Sequence, residues 1–325
     1  MIRPIAPLGS TLAGMASDFP APPHELIGLP GAGHVGTGPV VDPLLDNLLS
    51  DLAPAVPAVS GGASEVGAGA VAQALAEHRD HRAAWYGDLI GPLRVPASAT
   101  VSLLGSLRPG DHALPIVLTP DPASDDLLAA LRAARALLLD NHRVELVGVE
   151  LPFVAADNAA DAARRALAAL DFTVPAWFMV KAEPGWEPAF DVLAQDGAES
   201  VALYLPTPSG PETFTDIAAV IRALIDRELS YAITDGIAGL VTTTAGHGLL
   251  NLLCATRAAL NGAETPLLAA ILAETRIAPL AAAARRMSEA DAAIVRAFLP
   301  SASGPSIRDL VEALESEGLI EPDAA

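Results

Sequence analysis

Short apolar runs alternate with helical periods of hydrophobic residues from about residue 63 onward. Each run holds four to ten residues and is bounded by Pro, Gly or Asp, which is typical of buried strands. Strands and helices alternate at intervals of about 30 residues, the spacing of βαβ units in a parallel sheet. The predicted strands are 93–96, 114–119, 144–153, 174–180, 200–205 and 230–234, and the predicted helices around them are 67–91, 124–141, 158–171, 186–196 and 212–229.

Six to eight successive βα units favour a closed barrel over an open doubly wound sheet. Six strands are evident, and up to two more can be placed, at 48–56 and 239–243. The chain from residue 264 has helical periodicity, with helices predicted at 265–274, 278–287, 288–298 and 306–317. We therefore predict an α/β fold: a TIM-barrel-like (β/α)7-8 domain over residues 63–325, including a helical C-terminal extension at 264–325.

Residues 1–62 form a Pro/Gly-rich segment, with 10 Pro and 9 Gly. This composition cannot sustain a helix or a sheet ladder for long, so we expect an extended arm that can dock on a protein partner. One short amphipathic helix is predicted at 41–53, and it must pack on its own domain or on a partner. Residues 31–36 match the dinucleotide pattern GxGxxG, but Pro30 and Pro39 disfavour the strand and helix such a site needs, which favours a linker.

Charge and composition restrict the function classes. The formal net charge is −20, which argues against a protein that binds the phosphates of nucleic acid. The single cysteine, Cys254, excludes an internal disulfide framework and a thiolate cluster. Aromatic residues make up only 4% of the chain, so the core must be built from Ala, Leu and Val. No cofactor is expected.

The longest stretch without a charged residue, 236–256, is about as long as a membrane span. It contains four glycines and three consecutive threonines, so we interpret it as a strand end, a loop and a buried helix. Residues 1–14 lack an apolar block long enough for a signal peptide. The expected location is the cytoplasm, with no membrane span.

Several polar residues end predicted strands, where a barrel assembles its active site. Lys181, the only lysine, can form a Schiff base there or simply pair with Glu183. Glu150 and Asp235 end two other strands as candidate acids, and Tyr204 lies late in a third. Each carboxylate can equally cap the helix that follows it. Lys181, Glu150 and Asp235 are thus catalytic candidates, and Tyr204 and Glu183 are candidates for ligand binding.

Two further motifs contain histidine. His247 opens a predicted helix, where the helix dipole favours its neutral form, and Asn251 lies one turn later. In an enzyme, we predict that either His247 or Lys181 is the catalytic base, that Glu150 or Asp235 is the acid, and that Asn251 is a ligand-positioning donor. His78 and His81 also lie one turn apart, but a metal needs a third ligand, and the neighbouring residues are typical of the end of an amphipathic helix. No metal site is predicted.

Three parts of the chain resemble the sequences of one protein family. They are residues 74–98, which include HRAAWY at 81–86, the segments 231–236 and 247–251 with HGLLN, and the tail 306–320. These residues resemble an uncharacterised, chiefly actinobacterial family of hypothetical β/α-barrel proteins. The resemblance covers about residues 65–320 and implies a barrel fold without an established reaction.

The chain departs from that family at its polar motifs. Residues 202–207 replace a Lys-x-Arg-x-Gly-Gly strand end, and Ala232 replaces a lysine. Residues 238–239 replace a His-His pair, and residues 301–304 replace a Cys-containing motif. The resemblance therefore implies a degenerate active-site rim.

Two hypotheses of different class follow. The first is a non-catalytic subunit that binds a ligand or a protein, with residues 1–62 as its arm. The second is a lyase- or isomerase-type enzyme acting on a small polar metabolite. The enzyme hypothesis predicts that Glu150, Lys181, Asp235 and His247 converge in one concave pocket at the carboxyl ends of the strands.

Overall fold

The computed structural model of the chain describes residues 42–51, 65–108, 113–121, 126–139, 141–152, 158–168, 175–182, 185–196, 200–304 and 306–322. Six parallel strands follow one another in chain order and form one sheet that curls into a half-barrel. They are β1 (Leu93–Pro96), β2 (Leu114–Thr119), β3 (Val144–Pro152), β4 (Ala176–Lys181), β5 (Ser200–Tyr204) and β6 (Ser230–Asp235). All six strands that the apolar runs predict are confirmed, each boundary within two residues.

Helices cover one face of this sheet, and most follow the predicted periods. They are α1 (Asp42–Leu45), α2 (Glu65–Ala83), α3 (Thr100–Ser106), α4 (Leu127–Leu139), α5 (Ala159–Ala168), α6 (Glu187–Gln195), α7 (Pro211–Asp226), α8 (Leu249–Leu260), α9 (Thr265–Leu272), α10 (Ile277–Arg285), α11 (Glu289–Phe298) and α12 (Ile307–Ser316). The tail is helical as predicted, and the Ser288–Asp291 capping box that opens α11 is present.

Successive side chains of a strand point to opposite sides of the sheet, so the two faces of the sheet carry different residues. Leu118, Phe178 and Leu203 belong to the main core beneath the helices. Their neighbours on the opposite face form a small separate cluster of Val117, Trp177, Ala202 and Ala232. The apolar part of the inner face is therefore formed by one tryptophan and smaller side chains, with Val147 and Met179 packed against them.

The prediction of a closed barrel of seven or eight strands is wrong, because the sheet that the described residues form has six and curls into a half-barrel. The gap between β6 and β1 is spanned by two extended segments that form only single-residue bridges. Ala302 bridges Ile233 and Leu49, and Leu49 in turn bridges Ile90. Each segment is too short for a ladder: Asn47 precedes one in a turn, and Pro300 precedes the other. We call residues 48–51 and 301–303 the bridging segments.

The N-terminal part of the described chain belongs to the core. The predicted helix at 41–53 is wrong in length, since α1 ends at Leu45 and Asn47 takes a left-handed φ of 52° that turns the chain away. Leu44, Leu48 and Leu49 are nevertheless fully buried. Of the first predicted extra strand, 48–56, the described residues 48–51 form bridges only at Leu49, to Ile90 and Ala302, and residues 52–56 lie outside the described part. Residues 31–36 lie outside it as well.

The uncharged stretch 236–256 divides as its glycines and threonines predict. β7 (Ile237–Gly239) pairs with β8 (His247–Gly248) in a separate two-stranded sheet, and α8 follows at once. The second predicted extra strand, 239–243, is therefore wrong. Within the described ranges no single helix is long and apolar enough to cross a membrane, and one helix pair, α9 with α10, passes by length and composition but is bent by 116°.

Candidate functional site

A cavity of about 670 Å³ opens where several extended segments end, and we call it the rim cavity. Tyr204 and Asp235 line it as the last residues of β5 and β6, and Asp51 and Ser303 line it as the last residues of the two bridging segments. The remaining lining residues are Glu77, Asp80, His81, Thr234, Ile237, Gly304, Ser306, Ile307 and Arg308. This volume is in the range of small-molecule sites, and the position is the one that β/α barrels use for their ligands.

A buried ion pair adjoins the rim cavity. Arg94 on β1 binds Glu150 on β3 through two parallel hydrogen bonds, Nε to Oε1 at 2.9 Å and Nη2 to Oε2 at 2.8 Å. The exposed fractions of the two residues are 2% and 0%. The remaining Arg94 nitrogen, Nη1, donates to the Thr234 carbonyl at 2.9 Å and to Ser303 Oγ at 3.0 Å, and both of those residues line the cavity.

This pair crosses the inner face of the half-barrel, because β2 separates β1 from β3 in the sheet. A bidentate Arg–carboxylate pair is well matched in geometry and satisfies the charge on both sides. Glu150 is therefore held by Arg94 within the fold and does not itself line the cavity.

Tyr204 presents its phenol to the rim cavity. Burial raises the pKa of this phenol, the Arg94 charge partly opposes that effect, and the carboxylates of Glu150 and Asp235 raise the pKa further. The hydroxyl consequently stays protonated at neutral pH and can donate a hydrogen bond to a ligand. Asp235, the Cα partner of Tyr204 across the sheet, is exposed and offers a carboxylate in the same cavity.

Histidines hold one wall of the cavity in place. His78 is fully buried, and its Nδ1 lies 2.7 Å from Asp51 Oδ2, so this pair links α2 to a bridging segment. His81 Nδ1 lies 2.9 Å from the Tyr86 hydroxyl. The two histidines thus have separate partners, and among the described residues no group of three or more His, Cys, Asp or Glu is arranged to hold a metal ion.

Lys181 does not join the cavity. It ends β4 beside Tyr204 in the register, but its side chain is exposed and is not among the lining residues. Its predicted partner Glu183 lies outside the described residues.

His247 is placed in the core. Its Nε2 donates to the Pro206 carbonyl at 2.8 Å, and its ring packs edge-on against Phe214 at 5.8 Å between centroids. Burial lowers its pKa, so the imidazole is neutral at pH 7, as the sequence predicts, although the cause is burial. Its Nδ1 has no hydrogen-bond partner among the described residues. His247 does not line the rim cavity.

Asn251 holds backbone rather than a ligand. Its Oδ1 accepts from Thr242 N at 3.0 Å, and its Nδ2 donates to the carbonyls of Ile271 and Glu274, both at 2.7 Å. The side chain is fully buried, and these bonds tie the start of α8 to the end of α9. The expectation of a common pocket therefore fails: of the six predicted site residues that the structure describes, only Tyr204 and Asp235 line the rim cavity.

Sequence reasoning missed Arg94, Ser303 and the acidic residues of α2 that line the cavity. A usable signal was present for Arg94, since it is a lone charge within an apolar strand. Glu150 has the same character, and two isolated charges in buried strands must find each other or another partner. No comparable signal marks Ser303, which lies in a short polar stretch.

Comparisons with known proteins do not identify the chain: no protein-family model matches it, and no curated protein matches it significantly.

Proposed function

We propose that this chain is a non-catalytic β/α-barrel protein that binds a small molecule in the rim cavity. The observation that carries this proposal is the Arg94–Glu150 pair, with both charges buried and engaged with each other at the point where barrel enzymes keep reactive groups available. The cavity beside the pair is large enough for a metabolite.

The inner face of the half-barrel supports the same proposal. Ala202 and Ala232, which stand where the resembled family carries lysines, pack with Trp177 in the small inner cluster. Alanine has no group that can accept or donate a proton. On this proposal the chain is a diverged member of that family, with a degenerate active-site rim.

We propose further that the curled half-barrel is TIM-like, with the two bridging segments lying between its edges in place of regular strands. Their single-residue bridges are parallel, like the strand pairs of the sheet. A protein partner bound by residues 1–41 and 52–62 remains part of the proposal, since Leu44, Leu48 and Leu49 between them are buried in the chain's own core. Its support is the Pro/Gly-rich composition, and residues 1–41 and 52–62 lie outside the described part.

The second candidate is a lyase- or isomerase-type enzyme. It is favoured by one observation: a protonated phenol, Tyr204, and a carboxylate, Asp235, line the same cavity as neighbours in the sheet. Such a pair can donate a proton to a substrate and accept one from it.

Equilibrium dialysis of the purified full chain against a metabolite extract from its host separates these functions. We expect a metabolite to be retained at unchanged mass, with its total amount over the two compartments conserved. Asp235→Trp should abolish retention by filling the rim cavity, whereas Glu145→Trp, at an exposed position near the amino end of β3, should not.

Depletion of a metabolite with the appearance of a product would favour the enzyme instead. Product formation that is lost in Tyr204→Phe would assign the chemistry to the phenol. If nothing is retained and nothing is converted, the rim cavity is not a small-molecule site and the proposal fails.

A further inference from the structure

The rim cavity has a strong charge imbalance among its lining residues. Among the described residues, four carboxylates line it, those of Asp51, Glu77, Asp80 and Asp235, and one guanidinium, that of Arg308. The Asp51 carboxylate is hydrogen-bonded to His78, so the other three set the imbalance. The Arg94 charge does not offset them, since it is paired with Glu150. The carboxylates come from a bridging segment, from α2 and from β6, so the fold gathers them in one concave space from distant parts of the chain.

Concave acidic walls concentrate the negative potential and attract cations. The chain as a whole carries a formal charge of −20, which adds a long-range attraction of the same sign. A volume of about 670 Å³ is far larger than a metal ion needs, and the described residues contain no metal-binding group. An organic cation fits both the acidic lining and the large volume of the cavity.

We infer that the ligand of the rim cavity is a small organic cation that also forms hydrogen bonds, an amine or a guanidine. This inference rests on the proposed function. The positive group lies against the carboxylates of Asp80 and Asp235. The neutral Tyr204 phenol and the Ser303 and Thr234 hydroxyls face the rest of the molecule as hydrogen-bonding groups.

Calorimetric titration of the full chain with three matched four-carbon probes tests the charge requirement. The probes are putrescine, 1,4-butanediol and succinate, which are cationic, neutral and anionic. We expect putrescine to bind at one site per chain and the other two to give no saturable heat. Asp235→Asn should weaken putrescine about tenfold, the loss of one close charge pair.

Glu145→Gln is the matched control. It changes the net charge by the same amount at an exposed position near the amino end of β3, away from the rim cavity, and should leave putrescine affinity unchanged. Equal weakening by both substitutions would mean attraction by net charge alone and would overturn the inference.

The failure of this inference differs from the failure of the proposed function. Three outcomes would overturn the cation class while leaving a small-molecule site in place. They are saturable binding of succinate or butanediol, no binding of putrescine, and retention of an uncharged or anionic metabolite in the dialysis experiment. Absence of any binding in both experiments would overturn the two together.

Discussion

Arg94 and Glu150 are the residues on which the interior of the half-barrel depends. Moving two charges out of water costs several kcal/mol each, and here the cost is offset by two parallel hydrogen bonds and two further bonds from Arg94 to Thr234 and Ser303. Removal of one partner leaves the other charge buried and unpaired. The pair therefore shapes the rim cavity and the stability of the inner face at the same time.

Glu150→Gln should lower the free energy of unfolding by about 3–5 kcal/mol, the usual cost of breaking a buried pair from one side. Urea unfolding at neutral pH measures this change. The double variant Arg94→Met with Glu150→Leu should lose less than Glu150→Gln alone, because no buried charge remains.

Arg164→Ala is the control for that experiment, since Arg164 pairs with Asp161 on the exposed surface of α5. Its loss should cost less than about 1 kcal/mol. A Glu150→Gln variant as mild as this control would show that Arg94 reaches solvent or another partner and that the pair does not organise the interior.

Tyr204 should titrate above the usual range of a tyrosine, about 10. The near-ultraviolet absorbance of phenolate follows the three tyrosines of the chain during a pH titration. Subtraction of a Tyr204→Phe titration isolates Tyr204, and its pKa should be raised, chiefly by burial. Tyr231 is fully buried against Thr256 and should ionise later still, also because burial raises its pKa. A Tyr204 pKa at or below the usual range would contradict the neutral phenol.

Among the elements, the turn between α9 and α10 depends on one carboxylate. Glu274 accepts from the backbone of Thr275 and Arg276 and forms two bonds with the Arg276 guanidinium at 2.9 and 2.7 Å. The Arg276 bonds lower the Glu274 pKa to about 2, against burial that opposes the shift. The carboxylate therefore holds together the turn that precedes α10.

This lowered pKa makes the stability of the turn depend on acid. The folded chain holds the Glu274 carboxylate ionised below the unfolded value of 4.5, so its contribution is complete above about pH 4.5 and is lost as the pH falls toward 2. Glu274→Gln should cost about 1–2 kcal/mol at pH 7. The difference from the unsubstituted chain should shrink in urea unfolding as the pH is lowered from 5 to 3.

Glu312→Gln, at an exposed position of α12, should show no such pH-dependent difference. If the Glu274→Gln difference stays constant between pH 7 and pH 3, the carboxylate does not owe its effect to ionisation, and its assigned role in the turn is wrong.

At the scale of the whole molecule, the bridging segments join the two edges of the sheet. Leu49 N donates to the Leu89 carbonyl at 2.9 Å, and Ala302 N donates to the Leu48 carbonyl at 2.8 Å. Ser50 Oγ and Ser301 Oγ add a buried side-chain bond of 2.7 Å between the segments. We expect the amides of Leu49 and Ala302 to exchange with deuterium as slowly as those of β1, as measured by NMR, because they open only with the sheet. Exchange at the rate of an exposed loop would contradict this joining of the edges.

The sequence predicts the six strands well because parallel strands are covered on both faces and read as unbroken apolar runs. The two bridging segments cannot be predicted from apolar runs, and the reason differs between them. Residues 301–303 are Ser-Ala-Ser, with no apolar run, while the leucines around Leu48 fit a helical period. Only the left-handed turn at Asn47 decides between helix and extended chain there.

The site was predictable only in part, because the relevant partners are far apart in the chain. Tyr204 and Asp235 end adjacent strands, so their positions in the sequence place them together. Arg94 and Glu150 belong to strands that are not neighbours, and no register rule pairs them. The sequence predicts His247 to be accessible to a ligand because it follows a loop and opens a helix. In the structure, tertiary packing against Phe214 and Pro206 buries it.

A crystal structure of the full chain grown with the metabolite recovered by dialysis tests the central claim most directly. We predict electron density for one intact molecule in the rim cavity, in contact with Asp235 and Ser303, with the Arg94–Glu150 pair unchanged beside it. Density for the metabolite elsewhere on the chain, or for a chemically altered product in the cavity, would contradict a non-catalytic binding site at the carboxyl ends of these strands.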